Sequence, residues 1–224
     1  MQQLLSNILW HSLNGAHRAY SAGTEAGRRY AKGFSPIIGF PDQQRPDLAA
    51  LAPFCAPDEH FYCDGWSGAV PAGWQLEAES SMFKMVWAGA LPPEPDPALV
   101  RLRAEHAEQA LALATLTRPG PFGPRTPELG TYYGVFDGAR LVAMAGERMF
   151  AGNLREISGV CTDPQYQGRG LARKLMYHLI HDQLARQEVP FLHVMHDNHG
   201  AYQLYARMGF SRQLESVVRV VSRA

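Results

Sequence analysis

Gln167, Gly168, Arg169 and Gly170 follow an apolar run, Val160-Cys161-Thr162, and lead into an amphipathic stretch that begins with Leu171 and Ala172. The order is that of a strand ending, a turn with two glycines, and a helix starting. Glycine admits the backbone angles that let successive N–H groups converge on one concavity. A helix start adds unpaired N–H groups and the positive end of its dipole. Phosphate or pyrophosphate is the ligand such a nest suits. Arg169 and Arg173 would add ionic contacts at its rim, and Ala172 keeps the first helical turn small enough for close approach. The stretch is not a P-loop, because no Gly-Lys-Ser/Thr follows. It is not the dinucleotide fingerprint either, whose third glycine would fall where Arg173 stands. A glycine-rich turn with no ligand is the alternative at this level.

The other reactive side chains point to less. His193, His196 and His199 fall within seven residues, and His178 and His181 are three apart on the preceding helical stretch. On a strand, His193 and His196 would face opposite ways, and no cysteine pair accompanies them, so no metal site is expected. Cys161 sits in an apolar strand pattern, where thiols are inert. Cys55 and Cys63 read as packing.

These residues need a scaffold, and the rest of the chain supplies its outline. It has 224 residues, 46% hydrophobic and 19% charged, with 21 basic and 21 acidic side chains. That is a globular composition whose zero net charge argues against nucleic acid or an anionic membrane as a partner. No apolar run reaches the roughly 18 residues of a membrane span. The first residues lack the basic start of a secretory signal, and three cysteines without a CxxC suit a reducing compartment, so a cytoplasmic protein is expected. Residues 1–90 open with a helical pattern, Leu4-Leu5-Ile8-Leu9, and continue through Pro/Gly-broken stretches to one or two strands over 74–89. LPPEPDPALV holds four prolines in ten residues, placing a Pro-rich linker at 91–98 and a second unit at 99–224.

In that second unit the spacing predicts a short strand and a helix over 100–117 with Ala107, Leu111 and Ala114 inward. A turn-rich loop follows at 119–130, then a hairpin of strands 131–136 and 140–149 about Asp137-Gly138. Next come a strand at 154–162, a helix at 171–187, a strand at 191–197, a helix at 198–208 ended by Gly209, and a last strand. Antiparallel strands followed by a βαβ crossover predict a mixed α/β sheet flanked by helices.

Gln167-x-x-Gly170-x-Ala172 resembles the coenzyme A pyrophosphate loop of the GNAT superfamily of N-acetyltransferases, whose signature is Gln/Arg-x-x-Gly-x-Gly/Ala. About thirty residues on, Asn198-x-x-Ala201-x-x-x-Tyr205-x-x-x-Gly209-Phe210 is similar to that family's later helix beside the cofactor. The resemblance covers roughly residues 100–220. Residues 1–90 are a weaker analogue of the degenerate upstream half in the glycine N-acyltransferase-like branch, or an acceptor-site region. The resemblance implies a sheet splayed between the two strands that hold the cofactor, with Gly159 as the bulge that opens it. The expected cofactor-binding residues are Val160, Cys161 and Thr162 through their backbone, the loop Gln167, Gly168, Arg169, Gly170, Leu171 and Ala172, and Asn198. Acetyl-CoA would be the acyl donor, with no metal.

Direct attack by an amine then needs a base, a stabilised oxyanion and a proton for the departing thiolate. Tyr205 matches the tyrosine that acts as general acid in many members. Glu156, eleven residues before Gln167, matches the strand glutamate that is the base in the histone-acetylating branch. His193 and a chain of waters are the alternatives. The implied activity is N-acetyl transfer to a small-molecule or peptide amine. Alternatives are a non-catalytic acyl-CoA-binding or sensing module, or an acyltransferase that uses a larger acyl group or an oxygen acceptor.

Overall fold

Apolar residues at helical spacing bury the start of the chain as two short helices, not one. These are α1 (Gln2–Ser6) and α2 (Ile8–Leu13). They part at Asn7, whose amide donates instead to the carbonyls of Phe40 (2.9 Å) and Pro41 (3.2 Å). A small three-stranded sheet follows, of β1 (Ser21–Thr24), β2 (Gly27–Tyr30) and β3 (Ile38–Gly39). The short helix α3 (Leu48–Leu51) is capped by Asp47, which accepts from the Ala50 N–H at 2.9 Å. Strands β4 (His60–Asp64) and β5 (Trp74–Trp87) complete this part; β5 is a single strand of 14 residues.

The structure, a computed structural model, describes residues 1–92 and 98–224; most of the Pro-rich stretch lies outside the described residues. Beyond it come β6 (Val100–Arg101), α4 (Ala107–Thr117), β7 (Tyr132–Asp137), β8 (Arg140–Ala151), β9 (Leu154–Thr162), α5 (Leu171–Ala185), β10 (Val189–Met195), α6 (His199–Met208) and β11 (Phe210–Arg223). The expected elements are all present, displaced by at most two residues at most ends, and β11 is long. On α4 the inward face is Ala110, Leu113 and Ala114; of the expected Ala107, Leu111 and Ala114, only Ala114 is fully buried. The inward residues pack on Leu102, Tyr132, Leu141 and Cys161, and a 3₁₀ turn at Ala104–His106 leads into the helix.

The main sheet has the order β4–β11–β5–β10–β9–β8–β7–β6. β10 runs parallel to β9 across the α5 crossover, and the other neighbours pair antiparallel. β5 therefore lies between β10 and β11, and the expected division at 91–98 separates two stretches of one continuous sheet. Its second half, Met82–Val86, is buried on both faces, as the near-continuous apolar run there requires.

One face carries α5 and α6, with Leu175, Leu179, Tyr205 and Met208 against Phe83, Met85, Ala143 and Val194. The other face is covered by the first 40 residues, with Leu5, Ile8, Leu13, Tyr30 and Ile37 against Val86, Met149, Leu154 and Phe191. No helix among the described residues is long and apolar enough to cross a membrane.

The sheet opens where the resemblance places it. Pairing of β9 with β10 stops at Glu156–Phe191, although the strands run on to Thr162 and Met195. On the other side of β9, Met144 faces Cys161 but Gly146 faces Ser158. Two residues of β9 thus oppose one of β8, a bulge. Gly159 sits in it at φ +62°, where a Cβ would come within 3.0 Å of the Tyr132 ring.

A buried polar knot joins the amino-terminal helices to this sheet. His17 Nδ1 lies 2.8 Å from the Tyr30 hydroxyl and 3.3 Å from Ser12 Oγ, and Ser12 Oγ accepts from the Phe150 N–H at 3.2 Å. His17 is 4% exposed. Burial, reinforced by the charge of Arg155, lowers its pKa from 6.5 to about 4. Between those values the unfolded chain binds a proton that the folded chain refuses, so stability rises with pH across that window. Unfolding free energy should therefore fall by up to about 3 kcal/mol as pH drops from 6.5 to 4. Urea titrations over that range should show the slope, and His17→Gln should flatten it; an unchanged slope in the variant would assign the effect elsewhere.

Candidate active site

The glycine turn folds as its composition requires. Asp163 caps a 3₁₀ turn at Pro164–Tyr166, accepting from the Gln165 N–H at 2.9 Å, and Arg140 holds the same carboxylate at 2.5 Å. Gly168 and Gly170 both take φ +76°, a region that side-chain-bearing residues enter only at a cost. Gly170 is the N-cap of α5 and no side chain bonds the first turn, so the helix begins with free N–H groups. A Cβ at Gly168 would meet nothing within 4 Å. The backbone is open to a ligand there.

An outer cavity of about 820 Å³ lies over this turn. Val160, Cys161, Thr162, Gln167, Gly168, Arg169, Gly170, Leu171, Ala172 and Asn198 all line it, together with Arg173, Ala201 and Tyr205. The ten residues expected to bind the cofactor are thus brought together. The nest, the uncapped helix and the two arginines fit a pyrophosphate. The strand Val160–Thr162, unpaired on the side facing β10, fits an extended polar arm. Cys161 is buried, which pushes its thiol up to about 11, so it is not a nucleophile.

An inner cavity of about 370 Å³ opens on the other side of the splay. It reaches from the bulge at Gly159 across the sheet to Tyr62 and Asp64 on β4, under Leu9 and Ile37. The first residues of the long loop, Pro119, Gly120 and Pro121, form part of its wall. Val160, Asn198, Ala201 and Tyr205 line both cavities, so the two meet at those four residues.

Glu156 faces the inner cavity but is fully engaged. Its carboxylate, 1% exposed, accepts from Arg148 Nη2 (2.7 Å) and Nε (3.0 Å), from the Met149 N–H (3.2 Å), and pairs with His193 Nδ1 (2.8 Å). Burial alone would raise its pKa, but the charge of Arg148 and the hydrogen bonds from Arg148 and His193 outweigh it and hold the group well below the ordinary carboxylate range. A carboxylate so satisfied is a poor proton acceptor. Facing an ionised carboxylate, His193 Nδ1 is the protonated nitrogen, which leaves Nε2 with a lone pair. Nε2 is buried and has no partner. Of the residues facing this cavity, His193 has the chemistry of a base, with Glu156 behind it and Arg148 behind Glu156.

Tyr205, on α6, is 9% exposed and packs edge-on to Phe210 at 6.2 Å. Burial pushes its phenol up to about 12, so it stays protonated through the neutral range. Asn198 caps α6 by accepting from the Ala201 N–H at 3.1 Å. Of the remaining histidines, His178 packs edge-on to Tyr133 at 4.1 Å, and His196 and His199 stand 6.3 Å apart. Among the described residues no group of three His, Cys, Asp or Glu side chains could hold a metal ion. Arg148, Lys84 and Asp64 were not expected at a site. Lys84 carries the one available signal, a charge inside the apolar run Met82-Phe83-Lys84-Met85-Val86.

Residues 93–210 match the model of the acetyltransferase (GNAT) family. The structure is similar to that of a putative GNAT-family acetyltransferase from Novosphingobium aromaticivorans, at 32% identity and a TM-score of 0.88 over 98% of both chains. A GCN5-related N-acetyltransferase from Kribbella flavida shares the fold at 18% identity, with a TM-score of 0.60 over 98% of this chain and 95% of that one. The N-alpha-acetyltransferase RimI of Mycobacterium tuberculosis is 37% identical over 84 residues, 36% of this chain. That match spans about half, 52%, of the curated relative's length.

Proposed function

The chain belongs to the GNAT acetyltransferase family and is an acyltransferase, and from that premise we propose that it transfers an acetyl group from acetyl-CoA to an amine by direct attack. The observation that carries this reading is the meeting of the two cavities at Val160, Asn198, Ala201 and Tyr205, with the His193–Glu156 pair on the inner side.

Acetyl-CoA supplies an activated thioester. The turn Gln167–Ala172 holds its pyrophosphate, and the backbone edge of Val160, Cys161 and Thr162 that faces away from β8 holds its amide-bearing arm. The acceptor, a small molecule or the end of a peptide, enters from the inner cavity. His193 Nε2 takes the proton of the attacking nitrogen as the N–C bond forms. Glu156 keeps the proton on Nδ1 and stabilises the imidazolium, and Arg148 keeps Glu156 ionised. Tyr205 donates to the sulfur as the C–S bond breaks and negative charge collects there. In this scheme Glu156 positions the base, and His193 is the group that touches the acceptor.

The test is thiol release from acetyl-CoA against a panel of amines, alongside the shift in Tm caused by acetyl-CoA. A ligand that binds only the folded chain raises Tm. Gly170→Asp places a side chain and a negative charge at the α5 start, so acetyl-CoA affinity should fall at least tenfold, about 1.4 kcal/mol, with the fold intact. No shift in the wild type at millimolar acetyl-CoA would remove the cofactor assignment; a shift with no thiol release for any amine would leave a binding module in place of an enzyme.

A further inference from the structure

The far end of the inner cavity holds a carboxylate that is only half used. Lys84, wholly buried on β5, donates to the carbonyls of Leu5 (3.1 Å) and Ser6 (2.8 Å) and to Asp64 Oδ2 (2.5 Å). Those three bonds exhaust its ammonium protons. Asp64 is 4% exposed, lines the cavity, and its Oδ1 is buried with no partner. Native structures rarely leave a buried acceptor unpaired, because desolvating it without a replacement bond is costly. His193 Nε2, at the other end of the same cavity, is the second such atom.

The fold relates the two. His193 faces Lys84 directly across β10 and β5, and Lys84 reaches over β11 to Asp64 on β4. Asp64 is thus three strands from His193, at about 4.8 Å per strand, so a molecule touching both spans about 14 Å. Leu9, Ile37, Met82 and Val218 line the cavity with them. Lys84 already neutralises Asp64, so the vacant oxygen asks for a hydrogen-bond donor and not for a counter-charge.

Resting on the acetyl-transfer reading above, we infer that Asp64 is a specificity-determining residue that binds the far end of the acceptor. The acceptor class is a bifunctional amine: one amino group at His193, a short apolar spacer, and a terminal N–H or O–H donor on Asp64 Oδ1. The Asp64–Lys84 pair is the anchor of that second group, built entirely from residues amino-terminal to β6.

Three linear probe series of matched length test it: alkylamines, α,ω-amino alcohols and α,ω-diamines. Binding is measured by calorimetry and thiol release from acetyl-CoA in parallel. At the fitting length, the amino alcohols should bind the wild type at least tenfold tighter than the alkylamines, and the diamines, whose second ammonium would meet an already neutralised pair, should not. Asp64→Leu with Lys84→Met removes the pair without stranding either charge, and should bring that ratio to within about twofold of one. Asp64→Asn alone is the second variant should the double variant fail to fold, and the ratio should fall there too. Equal binding of all three series at every length, or a preference that survives in the folded variant, overturns the role of Asp64 even if thiol is released. Discrimination in binding without thiol release keeps Asp64 as anchor and removes the acetyl-transfer reading.

Discussion

His193→Gln is expected to lower kcat for acetyl transfer by about 10²–10⁴-fold, the range of a lost general base. Glutamine fills similar space and its amide can still donate to Glu156, so the buried carboxylate keeps a partner and the fold is retained. It has no nitrogen lone pair to accept the proton of the attacking amine. The loss should fall on kcat, with acetyl-CoA affinity nearly unchanged, because the outer cavity does not include His193. Glu156→Gln is a poorer probe. It leaves Arg148, 7% exposed, without its carboxylate, and breaking a buried pair from one side costs about 3–5 kcal/mol of stability. Its lower rate would mix unfolding with chemistry. Steady-state kinetics and urea unfolding on both variants separate the roles: a His193→Gln enzyme with wild-type kcat would return the base to water.

Tyr205→Phe is expected to cost about 10²–10³-fold in kcat, the scale of one removed donor at a developing charge. The substitution deletes one oxygen and keeps the ring against Phe210, so packing and acetyl-CoA affinity should change little. A phenol held at about 12 is a weaker acid than a thiol of ordinary value near 8.5. Tyr205 therefore acts best as a hydrogen-bond donor while charge builds on sulfur, and the proton that finally neutralises the thiolate is one the amine has given up. The tyrosine effect should accordingly be flat across the neutral pH range. A variant with unchanged kcat would reduce Tyr205 to packing.

Much of the cofactor side was legible because its information is local. The turn, its two glycines and the start of α5 occupy consecutive residues, and positive φ, a free helix start and small side chains are demands a short segment states by itself. The same holds for the Asp137-Gly138 reversal, the stop at Gly209 and the strand 154–162 with Gly159 inside it. Sheet order is different. That β5 enters between β10 and β11 depends on backbone pairing between segments more than a hundred residues apart, and alternation along one strand says which residues share a face but not which strand lies alongside.

The base shows the same limit at one residue. Spacing singled out Glu156, which does line the inner cavity, yet a carboxylate's proton affinity is set by whatever stands within a few ångströms. Those groups are Arg148, delivered across the hairpin from β8, and His193, delivered by the next parallel strand. Type, order and local conformation were thus determined by the sequence alone: a mixed α/β sheet, a phosphate-suited turn, a tyrosine and a glutamate at defined spacings. Which of them holds a proton, and that the first ninety residues wall the inner cavity with Tyr62 and Asp64, was decided only by tertiary structure. Electrostatics acts through space, and folding brings together charges that the chain keeps far apart.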